Sequence, residues 1–136
     1  MVARASAAGV DWLVTIATDL EGSEAAIRLA EEHDSVYATV GCHPHSAEKA
    51  TPEWFDRFRE LSDHPRVVAI GETGLDFYYD NAPREAQRAS FSAHLSLAAE
   101  TGKPVVVHSR DSDDDMIAMV REAGADVLGV RGYGEA

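Results

Sequence analysis

Short apolar runs alternate with amphipathic segments along the whole 136-residue chain, and this alternation constrains the fold most strongly. The runs that have the length and composition of buried strands are Trp12–Ala17, Val36–Gly41, Val67–Ile70, Pro104–His108 and the shorter Asp126–Val130. The segments between them carry apolar residues at helical spacing. Strands that are apolar on both faces and alternate with helices indicate an α/β fold of parallel βα repeats.

Proline and glycine residues mark where the helices begin and end. Pro52 opens one helix, Pro83 suits the first turn of another, and Gly102 ends that helix after about Thr101. Asp111 is a candidate N-cap of the last helix. Two architectures fit this pattern, an open doubly wound sheet and a (β/α)8 barrel. Both place their chemistry at the carboxyl ends of the strands.

The charge balance is strongly acidic, with 24 acids against 12 bases and a net charge of -12. Such a balance argues against a basic surface that binds nucleic acid. It does not exclude an enzyme that acts on phosphates through bound divalent cations, because the metals then supply the local positive charge.

Several other classes of protein find no support in the sequence. Cys42 is the single cysteine, so an intramolecular disulfide and a cysteine-based zinc cluster are excluded. No apolar run approaches the ~18 residues of a membrane span, and no basic segment precedes an apolar one as in a signal peptide. We therefore expect a cytoplasmic protein without a membrane partner.

Side chains that can bind metal or transfer protons follow three consecutive predicted strands. His43 comes after the second strand, Glu72 after the third, and His108 at the end of the fourth. A carboxylate can bridge two divalent cations, and neutral imidazoles can complete their coordination. We expect Gly71 and Gly74 to let the backbone turn sharply, so that the Glu72 side chain faces the mouth of the sheet.

Each of these residues also has an ordinary structural explanation. Glu72 could be a loop acid or a helix cap, and Asp76 could be a turn acid. Other residues are expected to have packing, surface or turn roles: His33, His64, His94, Tyr78, Tyr79 and Asp80. A thiol nucleophile at Cys42 is weakly supported, because adjacent residues on a strand point apart. The interpretation of these residues as a functional site depends on their recurrence at the carboxyl ends of consecutive predicted strands.

Three segments of the sequence resemble signature segments of the TatD family of metal-dependent hydrolases. They are GCHPHSA at 41–47, AIGETGLDFYYD at 69–80 and KPVVVHSRDSDDD at 103–115. The resemblance extends from Val2 to about Asp126, with the order and spacing of the segments preserved. It implies part of a TIM-type (β/α)8 barrel, about strands 2 to 6, and a site for two divalent cations (Mg, Zn or Mn). It also implies hydrolysis of phosphodiester bonds, commonly in DNA.

The resemblance also assigns roles to individual residues. Glu72 corresponds to the carboxylate that bridges both metals, and His108 corresponds to a ligand of the second metal. His43 lies where the substrate phosphate is expected, so Glu72 and His43 are the expected catalytic residues. Arg110 is expected to contact substrate, and Asp76 is expected to support the site.

The sequence departs from the family in its ligand set. The H-x-H pair that the family carries on its first strand is absent, no histidine follows His108, and a later ligand aspartate is missing. A complete barrel normally needs ~250 residues. We therefore expect residues 1–136 to form a single, incomplete barrel domain with impaired activity toward DNA or another phosphodiester.

Two alternatives remain open from the sequence. The chain could be a truncated, non-catalytic half-barrel that associates with itself or with another chain through open sheet edges. It could also be an open doubly wound binding domain without metal.

Overall fold

The computed structural model describes residues 1–124 and 130–133. The helices are α1 (Val2–Ala7), α2 (Leu20–Glu32), a 3₁₀ helix (Pro44–Lys49), α3 (Pro52–Ser62), α4 (Arg84–Thr101) and α5 (Asp113–Ala123). The strands are β1 (Leu13–Thr15), β2 (Val36–Val40), β3 (Val67–Asp76), β4 (Val105–Arg110) and β5 (Val130–Tyr133). Of the described helices, none is long and apolar enough to cross a membrane.

The described strands form one sheet in the order β1-β2-β3-β4-β5, and all neighbours pair in parallel. The predicted α/β fold of parallel βα repeats is thus confirmed. An open doubly wound sheet reverses its strand order near the middle, whereas the strands here follow one another in chain order without a reversal. Since βα crossovers are right-handed, an unreversed order places the connecting helices on one face, as in a segment of a (β/α)8 barrel.

The third strand is longer than the sequence predicts, and it corrects the expected role of two glycines. Val67–Ile70 was expected to end in a turn, but β3 continues to Asp76, with a register shift against β4 between Ile70 and Thr73. Gly71 and Gly74 lie inside the strand, at φ 142° and 138°. Their role is to let the backbone of β4 approach closely, because glycine within a strand marks a bulge or a close neighbour.

Most predicted helix ends are confirmed. Helix α3 begins at Pro52, and α4 ends before Gly102, which adopts the left-handed conformation at φ 68°. The predicted N-cap of α5 is wrong by one residue. Ser112 occupies the N-cap position without a side-chain capping hydrogen bond, and Asp111 lies outside the helix at φ 51°. Of the predicted last strand, Asp126 to Gly129 lie outside the described residues, and β5 begins at Val130.

His94 is a packing residue that also anchors the backbone beside the predicted site. It is fully buried on α4, where its Nε2 accepts the N–H of Cys42 at 3.0 Å. Its Nδ1 donates to the carbonyl of Ser90 at 2.6 Å. Burial lowers the pKa of His94 to about 4, although the Ser90 hydrogen bond opposes that change. The neutral ring therefore holds the start of the loop that carries His43.

Candidate metal centre

Three side chains at the carboxyl edge of the sheet converge on one point. His43, Glu72 and His108 each present a potential ligand atom, and these atoms lie within 4.8 Å of one another. Glu72 Oε1 lies 3.9 Å from His43 Nε2 and 3.4 Å from His108 Nδ1. The carboxylate is buried and both rings are mostly buried.

The geometry of β3 places His108 between two carboxylates. Glu72, Gly74 and Asp76 alternate along the strand, so they lie on one face, and Gly74 is the register partner of His108 on β4. The His108 ring consequently reaches Glu72 with Nδ1 at 3.4 Å and Asp76 with Nε2 at 2.9 Å.

Asp76 is a buried carboxylate whose two oxygens are both saturated with donors. Its Oδ2 lies 2.9 Å from Nε2 of both His45 and His108, and its Oδ1 accepts the backbone N–H groups of Tyr78 and Tyr79. Burial alone would raise the pKa of Asp76, but the N–H of Tyr79 and the bonds from the two imidazoles hold it at about 2. Asp76 is therefore ionised and acts only as an acceptor.

Gln87 fixes the backbone of Asp76, and sequence reasoning missed it. Its side-chain amide accepts from the Asp76 N–H at 2.7 Å and donates to the Asp76 carbonyl at 3.1 Å. A further bond runs from the same amide to the carbonyl of Ala82 at 2.9 Å. The available signal was a polar residue at helical spacing from the buried Phe91 and His94 on α4.

The hydrogen bond to Asp76 decides which nitrogen of His108 can bind a cation. A neutral imidazole carries one N–H, and the acceptor at Nε2 keeps the proton there. The lone pair of Nδ1 then faces Glu72 Oε1 at 3.4 Å. Two facing acceptors at this distance can both coordinate one divalent cation, and a histidine whose far nitrogen donates to a carboxylate is the usual metal-bound arrangement. The residues present therefore fit a divalent cation.

Whereas His108 presents a hydrogen-bond acceptor to Glu72, His43 presents a donor. Its Nδ1 accepts the backbone N–H of His45 at 3.1 Å, so the proton of the neutral ring is on Nε2, the nitrogen nearest Glu72. Burial, together with the neighbouring His108 and His45, lowers the pKa of His43 to about 4, although Asp76 opposes that change. This arrangement makes His43 a hydrogen-bond donor toward the centre.

Comparison with known proteins gives the family. The family model for TatD related DNase matches residues 1–132. The chain belongs to the TatD related DNase family. This confirms the resemblance drawn from the three sequence segments.

Relatives of this TatD-family chain are similar over most of its length. It is 36% identical over 129 residues to the uncharacterized metal-dependent hydrolase YabD of Bacillus subtilis, which covers 95% of the chain and 51% of the relative. It is 45% identical over 120 residues to the 3'-5' ssDNA/RNA exonuclease TatD of Enterobacter lignolyticus, covering 88% of the chain and 46% of the relative. The chain thus spans about half the length of the curated relatives it matches.

Two solved structures show the same fold. The TatD homologue YJJV of Escherichia coli superposes with a TM-score of 0.82 at 31% identity, covering 89% of this chain and 48% of that one. A TatD-family hydrolase of Entamoeba histolytica gives a TM-score of 0.81 at 25% identity, covering 95% of this chain and 46% of that one. The predicted partial TIM-type barrel is thereby confirmed for the described residues.

The remaining predicted residue, Arg110, lies at the rim of the candidate metal centre. Its guanidinium is 4.2 Å from the ring centroid of Tyr78 and 4.8 Å from that of Tyr79. The Tyr79 ring in turn meets His45 edge to face at 5.7 Å. Sequence reasoning did not select His45, although its spacing of two residues from His43 was a usable signal.

Proposed function

We propose that this TatD-family chain carries part of a divalent-metal-dependent phosphodiesterase site that acts on single-stranded nucleic acid. The observation that carries the proposal is the pair of facing acceptors, His108 Nδ1 and Glu72 Oε1, at 3.4 Å. The names of several relatives, as ssDNA/RNA exonucleases, support the substrate class.

In this proposal Glu72 and His108 would hold the metal. A divalent cation there would polarise a phosphoryl oxygen and lower the pKa of a nearby water. Asp76 would keep His108 in the tautomer that exposes Nδ1, and such supporting carboxylates usually change metal affinity by about 10–100-fold when they are removed. By the family correspondence, Glu72 would bridge two cations.

His43 would bind the substrate rather than the metal. Its Nε2 lies 3.9 Å from Glu72 Oε1, and its lowered pKa keeps the ring neutral near pH 7. A donor placed there can bind a non-bridging phosphate oxygen and stabilise the charge that develops on it. With a net charge of -12, the chain attracts a phosphate weakly at long range, so short contacts at the site are needed.

Calorimetric titration with Mg²⁺, Mn²⁺ and Zn²⁺, together with degradation of single-stranded DNA, tests this function. Because Glu72 and His108 supply only part of the expected ligand set, we expect weak metal binding and slow hydrolysis that EDTA abolishes. Absence of any binding would contradict the metal centre. Tight binding of two metals with rapid turnover would contradict the impairment.

A second candidate function is a half-barrel that associates with a copy of itself or with another chain. In the described part of the chain, β1 pairs only with β2, and side chains near its open edge are exposed, Trp12 by 75% and Val14 by 49%. Open strand edges with apolar side chains favour association. We further propose that residues 1–136 form one incomplete barrel domain. A stable monomer in sedimentation analysis would contradict this second candidate.

A further inference from the structure

Two adjacent tyrosines form an aromatic surface at the rim of the candidate metal centre. The side chains of Tyr78 and Tyr79 are 57% and 53% exposed, and their rings meet edge to face at 4.8 Å. Neither ring contributes to the core of the fold, and their exposure leaves more than half of each residue available to a ligand.

The pair is held in place at both backbone and ring. The backbone N–H groups of Tyr78 and Tyr79 both donate to Asp76 Oδ1, while the other oxygen of that carboxylate orients His108. The guanidinium carbon of Arg110 lies over both rings, 4.2 Å from the centroid of Tyr78 and 4.8 Å from that of Tyr79. Rings fixed in this way lose little conformational freedom on binding, which favours affinity.

The aromatic surface is continuous with the site. The ring of Tyr79 lies 5.7 Å from that of His45, and the ring of His45 lies 4.4 Å from that of His43, which faces Glu72. A row of rings therefore leads from the exposed tyrosines to the residues that would act on a phosphate. A nucleotide attached to that phosphate would extend over this row.

We propose that Tyr78 and Tyr79, backed by Arg110, bind a nucleobase next to the phosphodiester bond to be cleaved, and so select unpaired strands. This inference rests on the proposed function. Aromatic stacking accepts any base and needs its face to be free, which a duplex interior does not offer. Since a chain of net charge -12 attracts the phosphate backbone poorly, stacking is the contact that can supply affinity.

Binding of short DNA strands, measured without hydrolysis, tests whether the aromatic surface holds a base. A thymidine octamer, and the same octamer with abasic residues, are titrated by fluorescence anisotropy in EDTA with the wild-type chain and with Tyr78→Ala/Tyr79→Ala. We expect the wild type to bind the thymidine strand at least about fivefold more tightly than the abasic strand. The double variant should lose that difference and keep its affinity for the abasic strand.

Two control variants accompany the test. Tyr78→Phe/Tyr79→Phe keeps both rings and should retain the preference. Ile117→Ala removes an exposed apolar side chain from α5 and should leave the preference unchanged. Circular dichroism checks that each variant is folded, and the phenylalanine pair covers the case in which the alanine pair is not folded.

Equal affinity of the wild type for both strands, a preference retained in the alanine pair, or no binding would each overturn the proposal. Hydrolysis in metal is assayed separately, so failure of the proposed function leaves the binding result standing.

Discussion

Replacing Gly74 with alanine is expected to destabilise the fold by about 3–5 kcal/mol, a large share of the stability of a typical domain. A Cβ built at this position would lie 2.0 Å from the carbonyl oxygen of His108, a backbone atom that cannot rotate away. The backbone at φ 138° also disfavours any side chain. The neighbouring strand would have to separate from β3 at the level of the candidate metal centre.

Unfolding in denaturant measures this loss, and Gly9→Ala is its matched control. Gly9 also has positive φ, at 90°, but a Cβ there would meet no atom within 4 Å. The control isolates the backbone strain, about 1–3 kcal/mol at most, from the steric overlap. Similar losses in both variants would contradict the close approach of β4 as the reason for Gly74.

Replacing Glu72 with glutamine is expected to weaken divalent-metal binding at least about 100-fold, since even residues that only orient ligands change affinity by about 10–100-fold. The amide keeps the shape of the side chain and removes its charge and half of its acceptor capacity. Hydrolysis of single-stranded DNA should fall to background in the same variant.

The measurement compares Mn²⁺ titrations of the wild type and Glu72→Gln, by calorimetry and by the shift of the unfolding midpoint. Without metal, the variant should be as stable as the wild type or more so, because a buried carboxylate costs desolvation. Adding Mn²⁺ should stabilise only the wild type. Glu122→Gln removes one charge from an exposed position on α5 and should behave as the wild type. Undiminished Mn²⁺ binding by Glu72→Gln would exclude Glu72 as a ligand.

The sequence predicted the parts of this molecule that depend on local pattern. Hydrophobic runs located the strands, and Pro52 and Gly102 located helix ends, because each acts through its own backbone conformation. The coincidence of Glu72, His43 and His108 at one edge also followed, since parallel strands present their carboxyl ends together.

What the sequence left open depends on partners that are distant along the chain. Glycines signal a turn or a close approach equally well, so the continuation of β3 through Gly71 and Gly74 could not be chosen beforehand. The roles of Gln87 and of His45 were hidden because each depends on contact with Asp76, 11 and 31 residues away. Strand order, which excludes the doubly wound sheet, is likewise a property of the assembled sheet.

The bond between His94 and Cys42 makes the chain sensitive to mild acid. The ring is packed against Phe55 and Phe58, and once protonated it could no longer accept the Cys42 N–H. Its pKa is lowered from 6.5 to about 4 in the folded chain, so between these values the unfolded chain binds the extra proton. Stability from this group is complete above about pH 6.5 and declines by up to about 3 kcal/mol as the pH falls to about 4. Acidification over this range would therefore lower the free energy of unfolding of the domain while His94 stays neutral in the folded chain, and denaturant unfolding at pH 7 and pH 5 would measure the loss.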